Sequence, residues 1–244
     1  ENQNGNSSTA FEFQAGNGPT QLQGVGALNG TEGTAVVTDP HTGNVLFYTD
    51  GDILYNGSHE QIDPNTQIPG FQSLGASNTS TQPTVVCPVP VCPVQNYYIF
   101  SNETGKAFSA LNVVGNISYR IYNPANQTFS VSQELTVSDP RVLDNNVDEG
   151  MTLIPNLGNS MAYWLIAKSA NNQDLDGDGT TEPTYLVWSI NQSGIHFTGA
   201  QSVGDQRIPI LAKNENAQHI MQATYSIEAV DDGVHAQVAW TYAE

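Results

Sequence analysis

The residues of this chain best placed to do chemistry are those of Asp174-Leu175-Asp176-Gly177-Asp178-Gly179-Thr180-Thr181-Glu182. Carboxylates at the first, third and fifth positions, with glycine at the sixth, let a short loop wrap oxygen ligands around one hard cation. The carbonyl of Thr180 at the seventh position and Glu182 at the ninth would complete the set, and Ca²⁺ is the cation this pattern predicts. The twelfth position is Tyr185 where an EF-hand would carry Glu, so the loop is shorter than that motif. The competing interpretation is an Asp-Gly-rich turn that only meets solvent.

Two further residue sets could be chemically modified. Eight Asn-x-Ser/Thr sequons occur, at Asn6, Asn29, Asn56, Asn78, Asn102, Asn116, Asn126 and Asn191, none with Pro at the middle position. They are candidate glycosylation sites, which belong on solvent-facing turns; an Asn/Thr-rich composition also produces sequons without sugar. Cys87 and Cys92 bracket Pro-Val-Pro-Val, a stiff segment able to bend the two sulfurs together, so a local disulfide is expected, with two free core thiols as the alternative. Two cysteines make half a zinc site, and no His-x-x-x-His accompanies them.

Evidence for catalysis is thin. There is no Gly-x-Ser-x-Gly, no His-Glu-x-x-His and no phosphate-cradling glycine loop. His41, His59, His196, His219 and His235 are scattered over turns and strands. Glu32, Asp50 and Asp52 lie close in sequence and could pair as glycosidase carboxylates. The simpler role for Asp50 and Asp52 is to flank a turn. A non-enzymatic protein is expected.

The elements that must carry these groups are short strands. β-branched and aromatic runs recur at 34–38, 44–48, 84–87, 96–101, 107–122, 128–137, 151–154, 162–168, 184–190, 221–229 and 234–242, separated by Gly, Pro, Asn and Asp clusters. No segment of helical length sustains a 3.6-residue period with caps. Asp39-Pro40-His41-Thr42-Gly43-Asn44 predicts a hairpin reversal, and 61–82, with Pro64, Pro69 and Gly75, predicts a long connection over the surface. The acidic loop therefore falls between two strands, 162–168 and 184–190. The fold class is all-β.

Composition bounds the partners. Twenty-four acidic residues against six Lys plus Arg give a net charge of −18, which repels phosphate backbones and anionic lipid and attracts divalent cations, so no nucleic-acid partner is expected. The most apolar stretch, 85–94, is broken by Pro88, Pro90 and Pro93, so no membrane insertion by a helix is expected. Glu1 in place of an initiating Met suggests a mature form that has lost an export signal, and hence a secreted, cell-surface location.

Three segments together resemble a known family: Glu32 to Asp39 with Leu46-Phe47-Tyr48-Thr49-Asp50-Gly51, then Ser80-Thr81-Gln82, then Asn96-Tyr97-Tyr98-Ile99-Phe100, with a looser Tyr163-Trp164-Leu165-Ile166. They look like the N-terminal propeller-like domain of secreted bacterial surface proteins of the gliding-motility-associated, PKD-bearing type, over roughly residues 9 to 200. The resemblance implies antiparallel four-stranded blades, with Phe47, Tyr98 and Trp164 filling the wedges between them. It supplies no catalytic residues. About four blades' worth of strands can be counted and no PKD module follows, so either the propeller is short or strands from another subunit complete it.

The expected organisation is an N-terminal extension over 1–16 that pairs with another subunit, followed by one all-β propeller-like domain over 17–244. The expected function is a structural subunit of an extracellular filament or surface layer, pilus-like in being a homopolymer joined by strand pairing and stabilised by calcium. Phe11 and Phe13 at one end, and Val234, Val238 and Trp240 at the other, are the assembly-strand candidates. A lectin-like adhesin with a glycan ligand is the alternative, and a secreted glycoside hydrolase a second one.

Overall fold

The structure, a computed structural model, describes residues 9–12, 20–23, 26–28, 33–51, 53–62, 83–102, 115–143, 146–156, 161–202, 225–231 and 236–242. Of these, only the backbone is described for Thr9–Glu12, Leu22, Gln23, Asp148, Glu149, Tyr225–Asp231 and Ala236–Tyr242. Among the described residues the chain is all-β, with no helix.

Three antiparallel sheets follow one another in the chain. The first runs in order through β3 (Ala35–Thr38), β4 (Val45–Thr49), β5 (Leu54–Asn56) and β6 (Gln61–Ile62). The second consists of β7 (Thr84–Pro88), β8 (Tyr97–Asn102), β9 (Ile117–Asn123) and β10 (Thr128–Phe129), with β11 (Gln133–Glu134) also pairing with β9. The third is β12 (Val147–Pro155), β13 (Tyr163–Ser169), β14 (Thr184–Asn191) and β15 (Gly194–Ser202). Each is a meander, in which every strand but β11 pairs with the one before it. Two further pairs, β1 (Thr9–Glu12) with β2 (Thr20–Gln23) and β16 (Tyr225–Asp231) with β17 (Ala236–Tyr242), are two-stranded.

The reversals have local causes. At the β3–β4 turn, Asp39 Oδ1 accepts from the amides of His41 at 2.7 Å and Thr42 at 3.2 Å, and Gly43 takes φ +73°. Both amides favour the ionised carboxyl, which lowers the Asp39 pKa. At the β5–β6 turn, Gly57 passes so close to β4 that a Cβ there would run into the Val45 carbonyl oxygen.

Side-chain alternation places the core. In β8 all six residues are buried, because the second sheet is covered on both faces. Tyr97 and Ile99 point one way, into a cluster with Phe47, Leu54 and Ile62 of the first sheet and Tyr122 of β9. Phe47 meets Tyr97 and Tyr122 edge-on, with ring centroids 5.3 and 5.0 Å apart. Tyr98 and Phe100 point the other way, into a larger cluster with Met151, Leu165, Leu186 and Trp188 of the third sheet. The first sheet thus packs on the second and the second on the third. Phe47 and Tyr98 lie between sheets as expected, whereas Trp164 is half-buried and Trp188 is the tryptophan between the second and third sheets.

Candidate functional site

The acidic loop joins β13 to β14. Its base is closed by the Gln173–Glu182 bridge, in which each amide donates to the other's carbonyl at 3.0 Å. Within the loop Asp174 is the organiser: Oδ1 accepts from the Gly177 amide at 2.7 Å and Oδ2 from the Gly179 amide at 2.9 Å. Asp176 Oδ1 accepts from the Asp178 amide at 3.2 Å, and Asp178 Oδ1 from the Thr180 amide at 2.7 Å. Gly177 and Gly179 adopt φ +81° and +87°, a conformation that side chains disfavour, which is why glycine punctuates the acids.

Three carboxylates converge as a result. Ligand oxygens of Asp174, Asp176 and Asp178 all lie within 4.8 Å of one another. Two oxygens each ~2.4 Å from one Ca²⁺ are at most ~4.8 Å apart, so the cluster matches the spread of a calcium shell. Glu182 lies at the base of the loop, where desolvation and then the charges of Asp176, Asp178 and Asp174 raise its pKa. The structure thus brings Asp174, Asp176 and Asp178 together, puts Glu182 within their electrostatic reach, and ties Thr180 in through its amide.

Two supporting residues have no signal in the loop motif. Arg141, in the connection from β11 to β12, donates from a guanidinium nitrogen to the Leu175 carbonyl at 3.2 Å while held against Asp139 at 2.6 Å. Gln173 is buried at 1% exposure, and its Oε1 accepts from the Leu143 amide at 3.3 Å. Both fasten the loop to a segment some thirty residues earlier in the chain, a relation that only the tertiary fold creates.

The other candidates divide clearly. Cys87 and Cys92 are free thiols, so the expected disulfide is not formed. The cause is orientation: Cys87 faces the core beside Tyr98 and Trp188, which pushes its pKa up by desolvation, while Cys92 is exposed in the β7–β8 turn. Asn102 is fully buried at the end of β8, which removes it as a glycosylation candidate in the folded chain. Asn116 donates to Glu134 Oε2 at 3.5 Å. Asn56, Asn126 and Asn191 lie at hairpin ends. Asn6, Asn29, Asn78, Phe13, Val234, Glu32, Asp52, His219 and His235 lie outside the described residues, as does most of the 61–82 connection. Phe11 lies in β1, and Val238 and Trp240 in β17.

Of the glycosidase carboxylates, the described one, Asp50, is buried and accepts from the Ile53 amide at 2.9 Å, the turn role expected for it. His41 and Asp39 line a cleft of about 1000 Å³ between the first and second sheets, with Tyr97, Gln95 and Cys92. His59 Nδ1 bonds to the Tyr48 hydroxyl at 2.9 Å, and His196 Nε2 to the Ser193 hydroxyl at 2.8 Å. No protein-family model, curated protein or solved structure matches the chain.

Proposed function

We propose that the chain is a non-catalytic structural module of an extracellular filament or surface layer, built of propeller-like blades, stabilised by calcium at Asp174, Asp176 and Asp178, and joined to other copies by strand pairing. The observation that carries this reading is the repetition of one packing relation. β3 lies against β7, β7 against β12, and β12 against β16, so the first strand of each sheet neighbours the first strand of the next. Adjacent leading strands are how propeller blades surround an axis, and this agrees with the resemblance in the sequence.

The sheet begun by β16 has two strands among the described residues, where the preceding sheets have four or five. β1 and β2 form another two-stranded unit. In this reading the β1–β2 pair of one copy extends the β16–β17 pair of another, a use of edge strands that is a hazard in monomers and a connector in polymers. Calcium lowers repulsion among chains of net charge −18, which favours the same outcome.

Electron microscopy and light scattering on the purified chain, with and without calcium and over a range of concentrations, test this. Regular filaments that are lost on a Phe11→Asp, Phe13→Asp double substitution support strand pairing. A monodisperse monomer under every condition overturns it.

One observation favours the adhesin reading. The cleft beside Tyr97 combines an aromatic face with Asp39, His41 and Gln95, the mixture of stacking and hydrogen-bonding groups that a sugar ring engages. Binding on a glycan array by a chain that stays monomeric would move the function there.

A further inference from the structure

Three sequons occupy the same place in three successive sheets. Asn56 ends β5, the third strand of the first sheet, and its sequon runs into the turn to β6. Asn126 sits in the turn from β9 to β10, again third strand to fourth. Asn191 ends β14, and its sequon forms the turn to β15. The described sequons elsewhere do not occupy this turn: Asn102 is buried at the end of β8, and Asn116 lies just before β9.

Asparagine is common in turns because its side-chain oxygen caps the amide two residues on, and all three do this. Asn56 Oδ1 accepts from the Ser58 amide at 2.9 Å, Asn126 Oδ1 from Thr128 at 3.2 Å, and Asn191 Oδ1 from Ser193 at 2.8 Å. That cap requires an N–H at the second position and no hydroxyl. Elsewhere in this molecule the same cap is made to His41, to Ala125 and to Arg141. The backbone cap alone therefore does not call for a hydroxyl residue at the second position, yet all three equivalent turns have one. In two of them the hydroxyl itself donates to the asparagine oxygen, Thr128 Oγ1 at 2.6 Å and Ser193 Oγ at 2.5 Å. The oxygen is thereby occupied, and the amide nitrogen is left at the end of the hairpin.

The three turns also share one end of the stacked sheets. In a meander the first-to-second and third-to-fourth turns lie at the same end. The cleft near Tyr97 is lined together by the β3–β4 turn at Asp39, the β7–β8 turn at Cys92 and the β9–β10 turn at Asn123, which aligns the first two sheets. The Val147 amide, at the start of β12, donates to the Gly115 carbonyl just before β9 at 2.9 Å, so the starts of these two strands are adjacent, and the first-to-second and third-to-fourth turns of the third sheet lie at the far end of β12 from that contact. The acidic loop, joining second strand to third, is at the opposite end.

We propose that Asn56, Asn126 and Asn191 are N-glycosylation sites, so that carbohydrate coats the hairpin end of the sheets and leaves the end bearing the acidic loop bare. The co-reactant is an oligosaccharide activated at its anomeric carbon by a lipid-linked phosphate or pyrophosphate. Asparagine Nδ2 forms a bond to that carbon, the carbon–oxygen bond to phosphate breaks with its electron pair leaving on the phosphate, and Nδ2 gives one proton to a base. Asn56 Nδ2 already donates to Glu60 Oε2 at 2.9 Å, and the one hydrogen that remains after substitution can keep that bond. The proposal requires export of the chain, and it holds whether or not the chain polymerises.

The test is peptide mapping by mass spectrometry of the chain exported by its native cells. Sugar is expected on the peptides carrying Asn56, Asn126 and Asn191 and is not expected on Asn102. Thr128→Ala and Ser193→Ala, which keep the backbone cap and delete the sequon, should each remove the modification at one site while leaving thermal unfolding of the deglycosylated protein within about 2 °C of the parent. Bare asparagines at all three turns, or sugar on Asn102 to an equal extent, would overturn the proposal.

Discussion

Trp188 Nε1 donates to the carbonyl oxygen of Thr136 at 3.0 Å, across 52 residues of sequence. The bond ties β14 of the third sheet to the segment leaving β11 of the second, and the ring is 2% exposed, edge-on to Phe197 at 5.6 Å. Trp188→Phe removes the donor and some volume while leaving the exposed Thr136 carbonyl open to water, so a loss of about 1 kcal/mol is expected. Trp188→Ala also opens a cavity between the sheets and should cost about 3–5 kcal/mol. Urea unfolding measures both; equal losses for the two variants would show that the bond, and not the packing, dominates.

Burial raises the pKa of seven tyrosines, at positions 48, 55, 97, 98, 119, 122 and 163, with desolvation the first cause in each. The unfolded phenols ionise near 10, and the folded ones above it. Between those values the folded state holds the protons, so stability is fully present below pH 10 and falls as pH rises through that window. Alkaline unfolding is therefore expected to coincide with a single cooperative rise in tyrosinate absorbance. Gradual tyrosinate formation in a chain that stays folded would contradict it.

The strand runs at 84–87, 96–101, 162–168 and 184–190 were legible because these strands are buried on both faces or alternate clearly. β15 was not, since its burial pattern never reaches a fully buried residue: it is an edge strand interspersing His196, Thr198 and Gln201 with half-buried positions and Gly199. β5 and β6, three and two residues long, are too short to show a period. The expected single run at 128–137 is two short strands that both pair with β9, a break set by pairing geometry and not by residue type. The Asp174 loop was readable because its carboxylates are local in sequence. Arg141 and Gln173, which fasten it, were hidden because their partners are distant in sequence.

Cys87 and Cys92 are expected to differ sharply in reactivity. Thiolate is the reactive form, and burial of Cys87 in an apolar cluster suppresses it, whereas Cys92 lies open in a turn. A maleimide should label Cys92 alone in the folded chain and both residues after denaturation. Peptide mapping that found neither thiol labelled before reduction would indicate that the two sulfurs had bridged.

The acidic loop supplies the metal prediction. Three carboxylates within 4.8 Å repel one another, and the loop tolerates them through amide bonds to Asp174, Asp176 and Asp178. An ion that binds this folded arrangement and not the unfolded chain stabilises it; at a free concentration 100-fold above Kd the gain is about 2.7 kcal/mol, or a Tm rise of about 5–10 °C for a chain of this size. Chelation should reverse that rise. Asp178→Asn is the sharper variant, because an asparagine oxygen can still cap the Thr180 amide while the cluster loses one charge. The variant should unfold at nearly the parent temperature in chelator and show a markedly smaller calcium-dependent rise. Identical Tm values with calcium and with chelator, together with no heat of binding in calorimetry, would leave the loop as a solvated turn. A calcium response undiminished in Asp178→Asn would place the ion elsewhere in the molecule.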